Sequence, residues 1–332
     1  MAEVASSAQE EAKNNKKKKG FSNLSLQHEL SVLIGLMVLV GIFSLLSDRF
    51  LTLNNLISVA NQVSMVFIIS VGMTIVIILA GMDLSVGSVA GLAGMITAGF
   101  LSAGHGVLVA LLVGLLIGAA VGFFNGLVIT KVGITDFIVT LATMSIAHGF
   151  IFAYTGGYPI YKNIPDTFLL LGQGYIGFVP IPVILALIAF AAGHFLLSRC
   201  RLGTYFYAVG GNREAARLSG INVDRIRLLG YVISGVLAAF AGIIMTSRLG
   251  SGQPTAGDTF LFDAIGATVL GGTSLMGGEG TMFGTVIGVA IIGIISNGLT
   301  LLNVPFFYQE VIKGLIIVLA VAYNSYKSMR NR

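Results

Sequence analysis

A single carboxylate interrupts a long apolar run in the stretch LAGMDLSVGSVAGLAG, residues 79–94. Asp83 is the only charged residue from position 51 to position 104. An ionised side chain in apolar surroundings is costly unless it finds partners. Two interpretations stay open. Asp83 caps the following helix by accepting hydrogen bonds from N–H groups around Ser85 and Val86, or it belongs to a gate that dips into the membrane.

Other polar side chains recur inside apolar segments. Each of them either forms interhelical hydrogen bonds and helix caps or lines a path for a polar solute. A path for a neutral solute needs modest hydrogen bonds that exchange easily. The candidates for path or gate are Asn61, Asp83, Ser85, Asn125, Asp136, Asp263, Thr273 and Glu279.

The segment RCRLGTYFYAVGGNREAARLSGINVDRIR, residues 199–227, is the largest hydrophilic stretch between apolar runs. Its middle predicts a short helix, because good helix formers lie between a capping Asn212 and a terminating Gly220. Arg213 and Arg217 lie one turn apart and are expected to face the cytosol. The segment is either an ordinary basic loop or a surface helix that receives force from a soluble partner.

Glycine recurs at every fourth position in the run LVGLLIGAAVGFFNG, residues 112–126. Four residues turn a helix by about 400°, so these glycines drift slowly around the helix and form a smooth groove. A groove without side chains lets a second helix approach closely. The predicted packing surface consists of Gly114, Gly118, Gly122 and Gly126. A further role as a sliding surface stays open.

The composition indicates that lipid is the solvent for most of the chain. Of the 332 residues, 55% are hydrophobic and only 10% are charged, and the mean hydropathy is +0.93. Soluble domains carry about 25% charged residues. A soluble fold of this size could not bury so much apolar surface, so a multi-pass membrane protein is predicted.

Hydropathy predicts an all-α polytopic membrane protein with about ten transmembrane helices. Strands of a barrel are excluded because the segments lack a short alternating pattern. The predicted spans are 31–47, 56–80, 84–103, 107–129, 134–154, 180–198, 228–247, 260–276, 281–302 and 308–325. The junctions near Asp83 and at 277–280 are short enough to be broken or re-entrant helices instead.

The distribution of basic residues predicts that both termini are cytoplasmic. With alternating spans, fifteen of the 19 Lys and Arg residues fall on the side of the N-terminus, and cytoplasmic loops are the ones that retain Lys and Arg. The opposite side then holds 48–55, 104–106, 155–179, 248–259 and 303–307. The loop 155–179, rich in Tyr, Gly and Pro, is expected to be structured.

The predicted regions carry no signature of an enzyme. There is no GxxxxGK[ST] phosphate loop, and the glycine-rich GGTSLMGGEG at 271–280 lacks the lysine. The histidines are scattered, so no metal site is expected. His148 lies inside a span, where packing or hydrogen bonding is a simpler role than a proton relay. The regions are a polar Lys-rich tail (1–30), a transmembrane domain (31–326) and a basic tail (327–332).

Several segments, in order, resemble the ribose-type monosaccharide permeases of bacterial ABC importers. Residues 214–220 spell EAAxxxG, like the cytoplasmic loop of ABC importer permeases. The other matching segments are AGMDLSVGS (80–88), AVGGNREAARLSGINV (208–223), QPTAGDTF (253–260), LGGTSLMGGEGTMFGTVIG (270–288) and ISNGLTLLNVPFFYQEVIKG (295–314). The resemblance covers nearly the whole chain from about residue 30 and excludes the Lys-rich tail.

The resemblance implies a type II ABC importer fold in the bacterial inner membrane. A second copy of the permease, or a close relative, would complete the path, and a periplasmic sugar-binding protein would deliver the solute. A cytoplasmic ABC ATPase would hold ATP and Mg, so no cofactor is expected on this chain, and no nucleic acid is expected as a partner. The residues implied in coupling are Gly211, Asn212, Arg213, Glu214, Ala215, Ala216, Arg217 and Gly220.

Two other classes of function are weighed against an ATP-driven permease. A secondary transporter driven by an ion gradient would require ionisable residues at mid-membrane. The carboxylates of this chain instead lie near the predicted span ends, which disfavours that class. A membrane-embedded enzyme would require a catalytic cluster, and the sequence contains no visible one.

Overall fold

The computed structural model describes residues 30–330, and the chain is predominantly helical in this range. The helices are α1 (Leu30–Leu46), α2 (Leu53–Ile78), α3 (Val86–Ser102), α4 (Val107–Leu127), α5 (Asp136–Thr155), α6 (Asp166–Gln173), α7 (Ile181–Arg199), α8 (Arg201–Gly211), α9 (Arg213–Leu218), α10 (Val223–Leu249), α11 (Phe260–Leu270), α12 (Met282–Leu301) and α13 (Phe306–Arg330). A π-helical turn (Val128–Val132) extends α4, and β1 (Tyr175–Ile176) pairs antiparallel with β2 (Val179–Pro180).

A helix lies in each of the ten predicted apolar segments. Within residues 30–330, six of these helices are long and apolar enough to cross a bilayer: α2, α4 with its π turn, α5, α7, α10 and α12. The helices α1, α3 and α11 are shorter, so a count of ten crossings stays a prediction. The segment predicted as 260–276 is helical only to Leu270, because Gly271 ends the helix and Gly272 has a positive φ of 88°.

Helix α10 lies at the centre of the bundle and packs against α2, α3 and α4. The predicted glycine groove of α4 faces it. A Cβ at Gly118 would collide with the carbonyl of Gly235, and one at Gly122 with the carbonyl of Tyr231. A Cβ at Gly126 would lie 2.8 Å from the Leu228 Cα. The backbones of α4 and α10 are therefore in direct contact, as small residues allow in membrane helices.

The two ends of the bundle carry different short elements. At one end, called the α6 end, the Ser247 hydroxyl near the end of α10 donates to the carbonyl of Phe168 at 2.6 Å and accepts the N–H of Gly172 at 2.7 Å. These bonds hold α6 against α10. The predicted outer loop 155–179 contains α6 and most of the β hairpin, which ends at Pro180. At the opposite end, called the α9 end, α8 and α9 join α7 to α10.

The segment 250–259 runs along α3 into the bundle, with only Thr255 and Asp258 exposed, which corrects its assignment to an outer loop. Its Gly252 packs against Ala98 of α3, and its Gly257 packs against Gly87 near the start of the same helix. The segment therefore follows α3 inward over eleven residues, or about 16 Å at 1.5 Å per residue. Pro254 and the glycines keep it from forming a helix along this course.

The predicted tails are described only in part. Residues 1–29 of the Lys-rich tail and residues 331–332 lie outside the described range. Helix α13 continues to Arg330, so the predicted basic tail that starts at position 327 is helical as far as it is described.

Candidate functional site

The carboxylate of Asp83 is fully enclosed where α2 ends and α3 begins, with 1% of its surface exposed. Its Oδ1 accepts the backbone N–H of Ser85 at 3.0 Å and the Ser85 hydroxyl at 2.6 Å. Its Oδ2 accepts the hydroxyl of Ser234 on α10 at 2.9 Å. The Ser85 N–H is one of the groups named by the capping interpretation, whereas the bond to Ser234 ties the junction to another helix.

The hydrogen bonds continue from Ser85 across two more helices. The Asn125 amide of α4 donates to the Ser85 hydroxyl at 3.0 Å, and the Thr143 hydroxyl of α5 donates to the Asn125 carbonyl oxygen at 2.7 Å. These side chains are buried. The donors form one directed chain from Thr143 to Asp83, so each polar group is matched in a low-dielectric interior. This set, with Ser234, is called the Asp83 network.

The Asp83 network lies well inside the bundle. Ser234 is eleven residues from the start of α10, which corresponds to a depth of about 16 Å. Thr143 is seven residues from the start of α5, or about 10 Å. The junction near Asp83 therefore lies inside the helix bundle and not at its end, while its depth in the membrane stays a prediction.

A second polar cluster lies between the Asp83 network and the α9 end. Asp136 at the start of α5 accepts Arg227 Nη2 at 2.6 Å and the Tyr231 hydroxyl at 2.8 Å. The side chains of Asp136 and Arg227 are only 16% and 10% exposed. Gly81 leaves room for this pair, since a Cβ there would lie 2.7 Å from the Tyr231 hydroxyl oxygen. The cluster holds the junction against α5 and α10.

Helix α2 ends in a left-handed cap, in which an alanine occupies the position that is usually glycine. Ala80 has a positive φ of 54°, and its N–H and that of Gly81 bond back to the carbonyls of Ile77 and Val76. This is the Schellman arrangement, in which the left-handed position is usually glycine. The carbonyl of Ile78, left free by the helix end, accepts the N–H of Gly278 at 2.8 Å.

The segment after α7 contacts this helix end directly. Arg213 Nη2 donates to the carbonyl of Ala80 at 3.1 Å. A Cβ at Gly210 would collide with the carbonyl of Ile78. Arg213, which is exposed, therefore also reaches the junction, a contact that the sequence did not predict. Desolvation and the neighbouring charge of Arg227 lower the pKa of Arg213.

Helix α8 also holds the loop 271–281 that follows α11. The Tyr207 hydroxyl donates to the carbonyl of Gly280 at 2.7 Å. Burial raises the pKa of Tyr207 to about 12, so the hydroxyl stays a neutral donor at physiological pH. Glu279 in this loop is exposed, and its carbonyl accepts the N–H of Ser274.

Helix α9 begins as the sequence predicts. The Asn212 side chain accepts the N–H of Ala215 at 2.9 Å, and Gly220 follows the helix with a φ of 81°. Ala216 is buried, whereas Leu218 is 81% exposed. Glu214 and Arg217 are also exposed, with 4.0 Å between their charged atoms. One face of α9 is thus seated on the bundle and the other is free. Gly211 and Ala215 flank the cap.

The remaining predicted residues are not part of the Asp83 network. Asp263 on α11 bonds Lys313 of α13 at 2.9 Å, and Lys313 also pairs with Glu310 at 2.5 Å. Asn61 is half-buried on α2, and Thr273 is fully buried. Asn61 Oδ1 and Thr273 Oγ1 have no hydrogen-bond partner among the described residues.

The structure thus divides the predicted path residues into a packed set and a scattered set. Asp83, Ser85 and Asn125 meet in one buried network, and their role in a path or gate stays a prediction. Two half-exposed ionisable residues were not proposed for the path from the sequence: Asp258 in the inserted segment and His148 on α5. The position of Asp258 in a presumed outer loop concealed it. Among residues 30–330, no cluster of His, Cys, Asp and Glu suited to a metal ion is present.

Comparison with known proteins identifies the family. Residues 55–321 match the family model described as "Branched-chain amino acid transport system / permease component". The ribose import permease of Escherichia coli strain K12 is 44% identical over 90% of this chain and 94% of its own length. The ribose import permease of Haemophilus influenzae is 43% identical over 88% and 92% of the two chains, respectively.

A relative with a different printed substrate is also similar. The D-allose transport system permease of Escherichia coli strain K12 is 41% identical over 83% of this chain and 84% of its own length. No solved structure matches the chain. From the family match over most of the chain and these near full-length relatives, the chain belongs to the family of transport-system permease components that includes the ribose import permeases.

Proposed function

We propose that the chain is the membrane-spanning subunit of an ATP-driven importer and carries a ribose-like monosaccharide. The observation that carries this proposal is the identity of 41–44% with ribose and D-allose permeases over 83–90% of the chain. The family description names branched-chain amino acids, but the relatives that match at high identity over most of the chain have sugar names. A sugar is therefore the preferred substrate class.

The proposed assembly pairs this chain with a second copy or a close relative. A cytoplasmic ABC ATPase holds ATP and Mg, and a periplasmic binding protein delivers the sugar. The excess of Lys and Arg on one side supports an inner-membrane location with the α9 end in the cytosol. The α6 end, with α6 and the β hairpin, would then be the face that receives the binding protein.

Coupling is proposed to run through α9. Its exposed face, with Leu218 and Glu214, suits insertion into a groove of the ATPase, while Ala216 anchors its other face to the bundle. A displacement of α9 reaches the end of α2 through the bond from Arg213 to the carbonyl of Ala80. Three residues later the chain enters the Asp83 network, which connects α3, α4, α5 and α10.

The test is D-ribose uptake into proteoliposomes. The permease is reconstituted with its own ATPase and binding protein, and uptake is measured with and without ATP. The proposal expects ATP-dependent uptake that needs all components. A parallel reconstitution of the permease alone, with an imposed proton or sodium gradient, tests the secondary-transporter alternative. Gradient-driven uptake by the permease alone would overturn the proposal.

A further inference from the structure

Two ionisable side chains are half-exposed on the outer surface of the bundle. The side chain of His148 on α5 is 42% exposed, and that of Asp258 is 51% exposed. His148 Nε2 lies 3.7 Å from Asp258 Oδ1. This distance is too long for a hydrogen bond, and Nε2 of His148 is buried without a hydrogen-bond partner among the described residues. The carboxylate of Asp258 therefore lies beside His148 and keeps its capacity to accept hydrogen bonds from another molecule.

Both residues lie deep along the bundle. Gly91 of α3 marks their level. It lies next to Ile151, one turn from His148, and next to Gly257, the residue before Asp258. Gly91 is eleven residues from the end of α3 at Ser102, so this level lies about 16 Å inward from the α6 end. That is about half the thickness of a hydrocarbon core.

Small or polar residues lie beside the pair, and the apolar Ile146 and Phe150 of α5 are exposed next to them at 52% and 61%. Ser145, Gly149 and Thr255 are exposed beside the pair, and the Gly149 Cα faces open space. The outer face of α4 is different, because it presents residues such as Leu116, which is 66% exposed. An ionisable side chain at this depth is strongly disfavoured against lipid and faces water or a bundle interior. The face defined by Ser145, His148, Gly149, Thr255 and Asp258 is called the polar face.

We propose that Asp258 is a substrate-contacting residue halfway along the translocation path, and that His148 is its positioning residue. The identity of the solute as a monosaccharide rests on the proposed function, whereas the contact of the polar face with water does not. The two oxygens of a carboxylate can accept hydrogen bonds from two sugar hydroxyls, and this contact needs no apolar surface on the solute. Asp258 lies in a turn closed by its own N–H bonding to the Thr255 carbonyl at 3.2 Å. The carboxylate is thus held near the innermost part of the segment 250–259.

Cysteine labelling tests whether the polar face meets water. Cys200 is the only cysteine of the chain, so Cys200→Ser provides a background free of cysteine. Asp258→Cys, Ser145→Cys and the lipid-side control Leu116→Cys are made in this background. The assembled importer in nanodiscs is then treated with a charged, membrane-impermeant thiol reagent. Asp258→Cys and Ser145→Cys are expected to react at least about tenfold faster than Leu116→Cys, since a thiol in lipid does not ionise.

Transport measurements test the contact with substrate. In the reconstituted importer, Asp258→Ala is expected to lower D-ribose uptake about tenfold, the loss typical of one charge-assisted hydrogen bond, while the importer still assembles. His148→Gln should lower uptake about threefold, and it should have no further effect when Asp258→Ala is already present. A purely structural role of His148 would instead give additive losses.

The outcomes separate the two proposals. Equal labelling of Asp258→Cys and Leu116→Cys in folded protein overturns the water-facing assignment, and Ser145→Cys decides the matter if Asp258→Cys does not assemble. Unchanged uptake by Asp258→Ala overturns the substrate contact. If the wild-type importer moves no D-ribose but Asp258→Cys reacts rapidly, the proposed sugar is wrong and the location of the path stands.

Discussion

Asp83 and Asp258 are carboxylates at similar depth in the same bundle, and their surroundings differ in every respect. Asp83 is 1% exposed and accepts three hydrogen bonds. The Asp258 side chain is 51% exposed, and its Oδ1 lies 3.7 Å from Nε2 of His148, beyond hydrogen-bond distance. Both oxygens of the first carboxylate are hydrogen-bonded within the protein. The second retains its capacity to bind something else, which suits a residue that meets a passing solute.

The physical basis of this difference is desolvation. A buried carboxylate remains charged only where fixed donors replace the water that it has lost. The three donors around Asp83 come from two separate parts of the chain, Ser85 and Ser234, so the carboxylate fixes the positions of α3 and α10. An exposed carboxylate gains little from fixed donors, so nothing in folding requires them. Substitutions can test this contrast by separating effects on stability from effects on transport.

The largest loss of stability is expected for Asp83→Ala. It leaves the N–H and hydroxyl of Ser85 and the hydroxyl of Ser234 without their acceptor, at about 1–3 kcal/mol for each unsatisfied group. Thermal unfolding in detergent, followed by circular dichroism, measures the effect. The control Asp83→Asn keeps the shape and an acceptor oxygen and should lose much less. Equal melting of Asp83→Ala and wild type would break the contrast with Asp258.

A smaller loss is expected where α4 meets α10. Gly118→Ala drives a methyl group into the carbonyl of Gly235, and overpacking of this kind costs about 1–3 kcal/mol. The matched control is Gly149→Ala on α5, where a Cβ has no atom within 4 Å. That variant should be neutral or slightly stabilised, because alanine favours a helix. Similar melting temperatures for the two variants would contradict the packing described for the groove.

Arg213→Ala should affect stability less and coupling more. It removes the donor to the carbonyl of Ala80 at the end of α2, at a cost of about 1 kcal/mol. Sugar-stimulated ATP hydrolysis of the assembled importer is expected to fall severalfold, while binding of the ATPase persists. Arg217→Ala, one turn away on the exposed face, is the control for general loss of charge. Identical ATP hydrolysis by the two variants would show that Arg213 does not couple α9 to the junction.

The smallest change in stability is expected for Asp258→Asn. Its side chain makes no hydrogen bond that folding depends on among those described, so the free energy of unfolding should stay within about 0.5 kcal/mol of wild type. The same thermal unfolding assay measures it beside Asp83→Ala. A destabilisation comparable to that of Asp83→Ala would show that both carboxylates are structural.

Local chemistry in the sequence predicted much of the fold. Apolar runs located the main helices, and the cap at Asn212 follows from the residue type alone. The glycine period in α4 indicated a packing surface, although α10 as its partner is not readable from the period. The matching segments implied the family before any geometry was known.

Contacts between distant segments were beyond prediction. The bond between Asp83 and Ser234 joins positions 151 apart, and no local pattern encodes that pairing. The entry of 250–259 into the bundle was missed because proline, glycine and threonine are equally typical of a surface loop. The bond from Arg213 to the carbonyl of Ala80 joins positions 133 apart, so the sequence did not reveal it.

The contact between Gly87 and Gly257 has a mechanical consequence. A Cβ at Gly87 would lie 2.5 Å from the Gly257 carbonyl oxygen, so backbone meets backbone without side chains between them. Interlocked side chains resist small shifts, because each knob must leave its hole before the next position is reached. Two backbones in direct contact have no interlocking side chains. At this point the segment that carries Asp258 lies on α3 without interlocking side chains, so a small shift along the helix axis meets little side-chain resistance there.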